Sequence, residues 1–317
     1  MEPTNRTWTG STGTHLTDAP PNDGVRRMGW IAALLLGIVA TSCGVSAGAS
    51  HPKPETGPTP DVAALSPAAL AQTRRTFHDQ IVTDAAAFAS DVDSLQSRVK
   101  SGDLAGARQA ELAAQADYDH FRLLEQDNSI NASTLDELAS EVRPGQTFAG
   151  LHAVERDLWT SGGDASADAS ALAGQAPVAE YLLARDELDP EAIGTTAVAE
   201  LGWAADWAIP GREELYSHDD AVDIAATVSA ADEAFDSITP LGTTVAPALT
   251  ASVRSDFHAL SSQVTALGPP TQLVDSAIGA VEQRALTQTV DATAAALSKL
   301  AATLVPYGTR QPAAYPS

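Results

Sequence analysis

From Ser66 to about residue 304 the chain is a run of alanine-rich stretches of ~15–30 residues, cut by Gly and Pro and lacking sustained alternation of apolar and polar residues. Alanine has the best intrinsic helix propensity and lets helices pack closely, so this pattern admits helices and little else. Ser66-Pro67 pairs an N-cap with Pro at the first helical position, and Asp189-Pro190 repeats the device. Breaks fall at Gly102, Pro144-Gly145, Ser161-Gly162-Gly163, Pro210-Gly211, Pro240 to Gly242 and Gly268-Pro269-Pro270. The spacing predicts helices near 67–100, 103–126, 134–142, 148–160, 177–188, 190–207, 218–238, 246–267 and 272–304. The expected fold is all-α, with two packed antiparallel helical bundles parted in the Gly/Ser/Ala/Asp-rich stretch 161–176.

Charge narrows the partners. With 41 acidic against 18 basic residues the formal net charge is −23, which excludes nucleic acid, because phosphate binding needs clustered Lys and Arg. An acidic surface gathers cations, or simply keeps an exported protein soluble.

Export is the expectation from residues 1–43. Arg26-Arg27 precede an apolar run, Ile31 to Ala40, of signal-peptide rather than membrane-spanning length. The run ends in Ala40-Thr41-Ser42-Cys43, which resembles a lipobox and marks Cys43, the only cysteine, as the acylated residue. The competing reading is a short uncleaved anchor with an incidental cysteine. The lipid anchor places the protein on the outer face of the cell membrane. Residues 44–66 read as a Pro-rich tether, 67–305 as the folded part and 306–317 as a flexible tail.

Three constellations carry chemistry. In Gly150-Leu151-His152-Ala153-Val154-Glu155, His152 and Glu155 stand at i and i+3 on one helix face, within reach of a single cation. Imidazole with carboxylate suits iron, zinc or copper, although the bare pattern also describes a solvated face. Pro210 to Asp223 crowds Glu213, Glu214, His218, Asp219, Asp220 and Asp223 together after a helix break. There Ser217 with Asp220 also fits a capping box. Asp117, Asp119, His120 and Glu125 with Asp136 form the third group, which read alone is a polar helix face.

Taken in order, these segments resemble the imelysin-like family, nearest to its iron-uptake members of the EfeO and EfeM type. The stretch Gly150 to Trp159 is similar to the family motif Gly-Phe-His-Arg-Ile-Glu with Leu-Trp after it. The stretch Gly211 to Asp220 is similar to Gly-Glu-Glu-x-x-Tyr-Ser-His-Thr-Asp, and the likeness covers roughly residues 67–305. The resemblance implies a helical-bundle metal-binding protein with iron as its ion, or zinc or copper. It also implies a membrane iron permease as partner, with a haem peroxidase as a further member of the uptake system. By position it assigns His152, Glu155, Asp136, Glu213 and Asp220 to the metal, with Asp119 and Glu125 contributing. Arg122 departs from the pattern, standing where the family has a second Glu, and a cation there repels a metal.

Two other functions compete. A metallopeptidase needs about three protein ligands and a general base. His152-x-x-Glu155 is followed by Arg156 where an inverted zincin motif requires His, so an enzyme is not expected. A structural surface lipoprotein that has lost its site is the third reading, and Arg122 is the feature that favours it.

Overall fold

The computed structural model describes residues 65–124, 130–185, 187–268 and 278–307. Among them are α1 (Pro67–Ser101), α2 (Leu104–Asp119), α3 (Ala132–Leu135), α4 (Leu151–Trp159), α5 (Ser166–Leu183), α6 (Pro190–Trp203), α7 (Asp220–Val245), α8 (Pro247–Ala266) and α9 (Ala280–Leu304). No strand occurs among the described residues, and the all-α expectation holds. None of these helices is long and apolar enough to cross a membrane.

Local chemistry sets the first hairpin. Ser66 caps α1 by accepting a hydrogen bond from the Ala69 N–H, and Pro67 opens the helix. Gly102, at φ +74°, ends α1 in the left-handed conformation, and Asp103 at once caps α2 through the Gly106 N–H. The antiparallel pair packs along its length, α5 lies against α1, and α4 bridges α2 and α5. In a second group α7 packs on α6 and α8, while α9 closes against α6 and α8. Helix α7 also touches α1 and α2, and it is buried almost all round, as expected of a helix between two layers.

The boundary between the groups therefore falls between α5 and α6, not in 161–176. Residues from Ser166 onward in that stretch are helix, because its alanines outweigh the scattered Gly and Ser. Two further expectations are corrected. Of the predicted helix 134–142 only Thr134 and Leu135 are helical, as the end of α3, since the Asp136 backbone pairs with Gly150 instead. Pro240 does not break α7, whose buried Leu241 and Gly242 carry the helix on to Val245. Helix α6 passes into a π-helical turn, Ala204–Ala208, one residue past Trp203. Glu125, Cys43, the tether before Leu65 and the tail after Tyr307 lie outside the described residues.

Close helix contact rests on small residues. A Cβ at Gly194 would stand 2.8 Å from the Ala301 Cβ where α6 crosses α9, whereas one at Gly174 on α5 meets nothing within 4 Å. Gly174→Ala is expected to raise the melting temperature through helix propensity, by about 0.5–1 kcal/mol. Gly194→Ala is expected to lower it, because overpacking costs about 1–3 kcal/mol. Parallel thermal melts followed by circular dichroism check the opposite signs.

Candidate metal centre

The centre begins at the start of α4. Gly150 has φ +83°, and a Cβ there would lie 2.5 Å from the Leu135 carbonyl carbon, so only glycine lets the two segments meet. Their contact, a single β-bridge between Asp136 and Gly150, brings Asp136 beside α4. The His152 Nε2 then lies 3.1 Å from Asp136 Oδ1, and its Nδ1 lies 3.4 Å from Glu155 Oε2. His152 and Glu155 are buried, which rules out the solvated-face reading.

The loop between the π-helical turn and α7 supplies the opposite wall. His218 adopts φ 59°, a conformation uncommon for a non-glycine residue, and its N–H closes a turn onto the Glu214 carbonyl. The turn presents the N–H groups of Tyr216 and Ser217 to Glu155 Oε1, at 2.8 and 2.6 Å. Glu214 Oε1 stands 3.5 Å from His152 Nδ1, while its Oε2 accepts from the Ser217 hydroxyl at 2.8 Å. The expected Ser217–Asp220 capping box is absent. Asp219 takes the N-cap position without a side-chain cap bond, and Ser217 is engaged with Glu214.

A second half surrounds Arg122, fully within the core. Its guanidinium pairs with Asp119 at 3.1 Å, with Glu213, and more distantly with Glu200 at 3.8 Å. It donates to Thr227 Oγ1 at 2.6 Å and lies 4.5 Å from the centre of the Trp203 ring. The Trp203 indole N–H reaches both Glu213 oxygens at 2.9 Å, and Gln115 donates to Asp119. Arg122 thus holds Asp119 and Glu200 and shares Glu213 with the His152 side.

Of the residues expected from sequence, His152, Glu155, Asp136 and Glu213 are brought together. Asp119 belongs to the Arg122 half. Asp220 lies at the first position of α7, where its Oδ1 faces the Glu214 N–H at 3.4 Å and steadies the loop. Glu111 and Glu200 belong to none of the three sequence constellations, while Glu214, Asp219 and Asp223 stand in the second without a place in the family pattern; all five are buried. Glu111 and Glu200 were legible in principle. Glu111 continues the buried face of Ala107 and Ala114, and Glu200 that of Ile193 and Ala197.

Acids outnumber cations here. Both carboxylate oxygens of Glu111, Glu200, Asp219 and Asp223 are buried without a hydrogen bond, and so are both His152 ring nitrogens, despite their nearby carboxylates. Burial opposes the His152 imidazolium, but Asp136, Glu155 and Glu213 outweigh it and push its pKa up to about 10. Burial first, then mutual repulsion, holds Glu111, Glu214 and Asp223 well above the ordinary carboxylate range. Burial likewise lifts Glu200 to about 8 against the pull of Arg122. Glu155 goes down instead: burial opposes its charge, but His152 and the two loop N–H groups overcome that.

This donor set fits a metal cation. One ligand atom each from His152, Glu155 and Glu214 lies within 4.8 Å of the others, and the same holds for Asp136, His152 and Glu213. Unpaired buried oxygens around one imidazole are the arrangement that a borderline or hard cation neutralises. Arg156, in the position of a third zincin ligand, turns outward to Asp157 at 2.7 Å and Asp168 at 3.4 Å.

Compared with known proteins, the chain matches Imelysin over residues 75–304. The chain belongs to the imelysin family. The match takes in every residue of the centre, from Glu111 on α2 to Thr227 on α7. No curated protein matches the chain.

The centre of this imelysin domain makes the metal-free protein sensitive to pH. Carboxylates with raised pKa contribute stability that is full below the unfolded value, near 4.5, and lost as pH climbs towards about 8. His152, raised to about 10, acts with the same sign above its unfolded value near 6.5. The melting temperature of metal-free protein is therefore expected to fall between pH 5 and pH 8. Glu200→Gln is expected to flatten part of that slope in calorimetry across the range.

Proposed function

We propose that this chain is an exported, lipid-anchored protein that captures iron at His152, Glu155 and Glu214, with Asp136 and Glu213 alongside, and hands it to a membrane permease. One observation carries the reading. His152 sits buried with both ring nitrogens among carboxylates from separate segments, and none of these contacts is an aligned hydrogen bond. An ion pair built for stability would align its hydrogen bonds. A ligand cage holds its donors apart for a guest.

Each wall has a task in that reading. Helix α4 fixes two donors a turn apart, and the loop N–H groups orient Glu155 through the oxygen that does not face His152. Ser217 does the same for Glu214. Arg122 neutralises Asp119, Glu200 and Glu213 in part and so confines the ion to the His152 side. Export and anchoring rest on the apolar run ending at Cys43, and the acidic chain, at −23, favours encounter with cations. Zinc and copper(II) share the donor preferences of iron, and competition decides among them. The permease, and a haem peroxidase in the same system, follow from the resemblance of the motifs. Peptidase activity is not part of the proposal.

Titration of the purified full chain with Fe(II) under anaerobic conditions tests the reading. Saturable binding is expected at micromolar metal, with one ion per chain lost in His152→Ala with Glu155→Ala in a chain that still folds. Ser217→Ala, which removes only the hydroxyl that orients Glu214, is expected to weaken binding roughly 10- to 100-fold. Binding indifferent to the double substitution would overturn the proposal.

A further inference from the structure

We propose that Asp84, His120 and Glu233 form a second site for a divalent first-row transition cation, separate from the His152 centre. The three residues come from α1, the C-cap of α2 and α7, and one ligand atom from each lies within 4.8 Å of the others. The His120 Nδ1 stands 3.8 Å from Asp84 Oδ1, too far for a hydrogen bond and suitable for two donors flanking a shared ion.

What points to a ligand is the state of the donors. Both His120 ring nitrogens are shielded from solvent and make no hydrogen bond, and the Ala226 carbonyl faces the ring without reaching bonding geometry. Asp84 has a side chain only 10% exposed, and its Oδ2 is buried and unpartnered. The other oxygen of Asp84 accepts from Gln80 Nε2 at 3.0 Å, and Glu233 Oε1 accepts from the Ser229 hydroxyl at 3.1 Å. Each carboxylate is thus held by one neighbour, which is how outer hydrogen bonds aim a ligand. One imidazole and two carboxylates match the preferences of zinc, iron or cobalt.

Placement gives the site its interest. Asp119 and His120 are consecutive at the end of α2, yet Asp119 joins the Arg122 half of the deep centre while His120 meets Asp84. Asp117 adds negative charge beside Asp84, and Asp91 beside Asp117. The outer site is less deeply buried, since the His120 side chain retains 17% exposure against 1% for His152.

The experiment is a Co(II) titration of the full chain, with bound metal counted after equilibrium dialysis. Two ions per chain are expected for the wild type, and one for each of His120→Ala, Asp84→Asn and His152→Ala, with circular dichroism confirming the fold. Wild-type stoichiometry retained in His120→Ala and Asp84→Asn would overturn this site and leave the deep one standing. A His152→Ala chain that keeps both ions while His120→Ala loses one would instead overturn the deep-site reading and support this one. Diffraction at the cobalt edge from wild-type crystals soaked in Co(II) needs no variant. An anomalous peak among Asp84, His120 and Glu233 is expected, and its absence there contradicts the proposal.

Discussion

The structure is organised around an excess of buried carboxylate over buried cation. Glu111, Asp119, Asp136, Glu155, Glu200, Glu213, Glu214, Asp219 and Asp223 share one interior region with Arg122 and His152 as its only charged partners among the described residues. An uncompensated buried charge costs several kcal/mol, so every segment around the region contributes something to neutralise it. Arg122 partners the acids on its side, the loop at Tyr216 and Ser217 gives backbone N–H groups to Glu155, and Glu111, Glu214 and Asp223 hold protons above their usual range.

That demand explains features that packing alone does not. The glycine at position 150 permits a backbone approach that delivers Asp136. The left-handed His218 turns the loop so that its donors point inward, a local cost accepted where a site requires it. Helix α7, apolar on most of its surface, carries Asp223 and Thr227 into the region while joining the two helix groups. The stability of the fold and the readiness of the centre for a cation are therefore one physical matter.

Much of this was legible in the sequence, for reasons that also mark the limit. Alanine content and capping residues gave the helices, and the i, i+3 spacing of His152 and Glu155 gave the pair at the centre. Arg122 stands out in the sequence as a departure, but nothing there shows that Glu200 and Trp203 hold it, because those contacts join residues about 80 apart. Asp220 matches the family motif, and its Oδ1 faces the Glu214 N–H, whereas Glu214 itself, one residue beyond Glu213, faces the imidazole. Periodicity cannot reach across an irregular loop such as 209–219. The helical start of the supposed linker failed differently: Gly and Ser are poor helix formers on average, but packing of Ala169 and Leu172 decides.

The central claim is that His152 and its carboxylates hold a cation directly. X-ray absorption at the iron edge of iron-loaded protein addresses it, because an imidazole ligand leaves a scattering pattern that carboxylates and water do not. In His120→Ala, which removes the outer imidazole, bound iron is expected to show nitrogen and oxygen ligands with an imidazole contribution that disappears when His152→Ala is added. The comparison is made at one iron per chain. An iron spectrum from His120→Ala without any imidazole contribution, or one unchanged on adding His152→Ala, would contradict it.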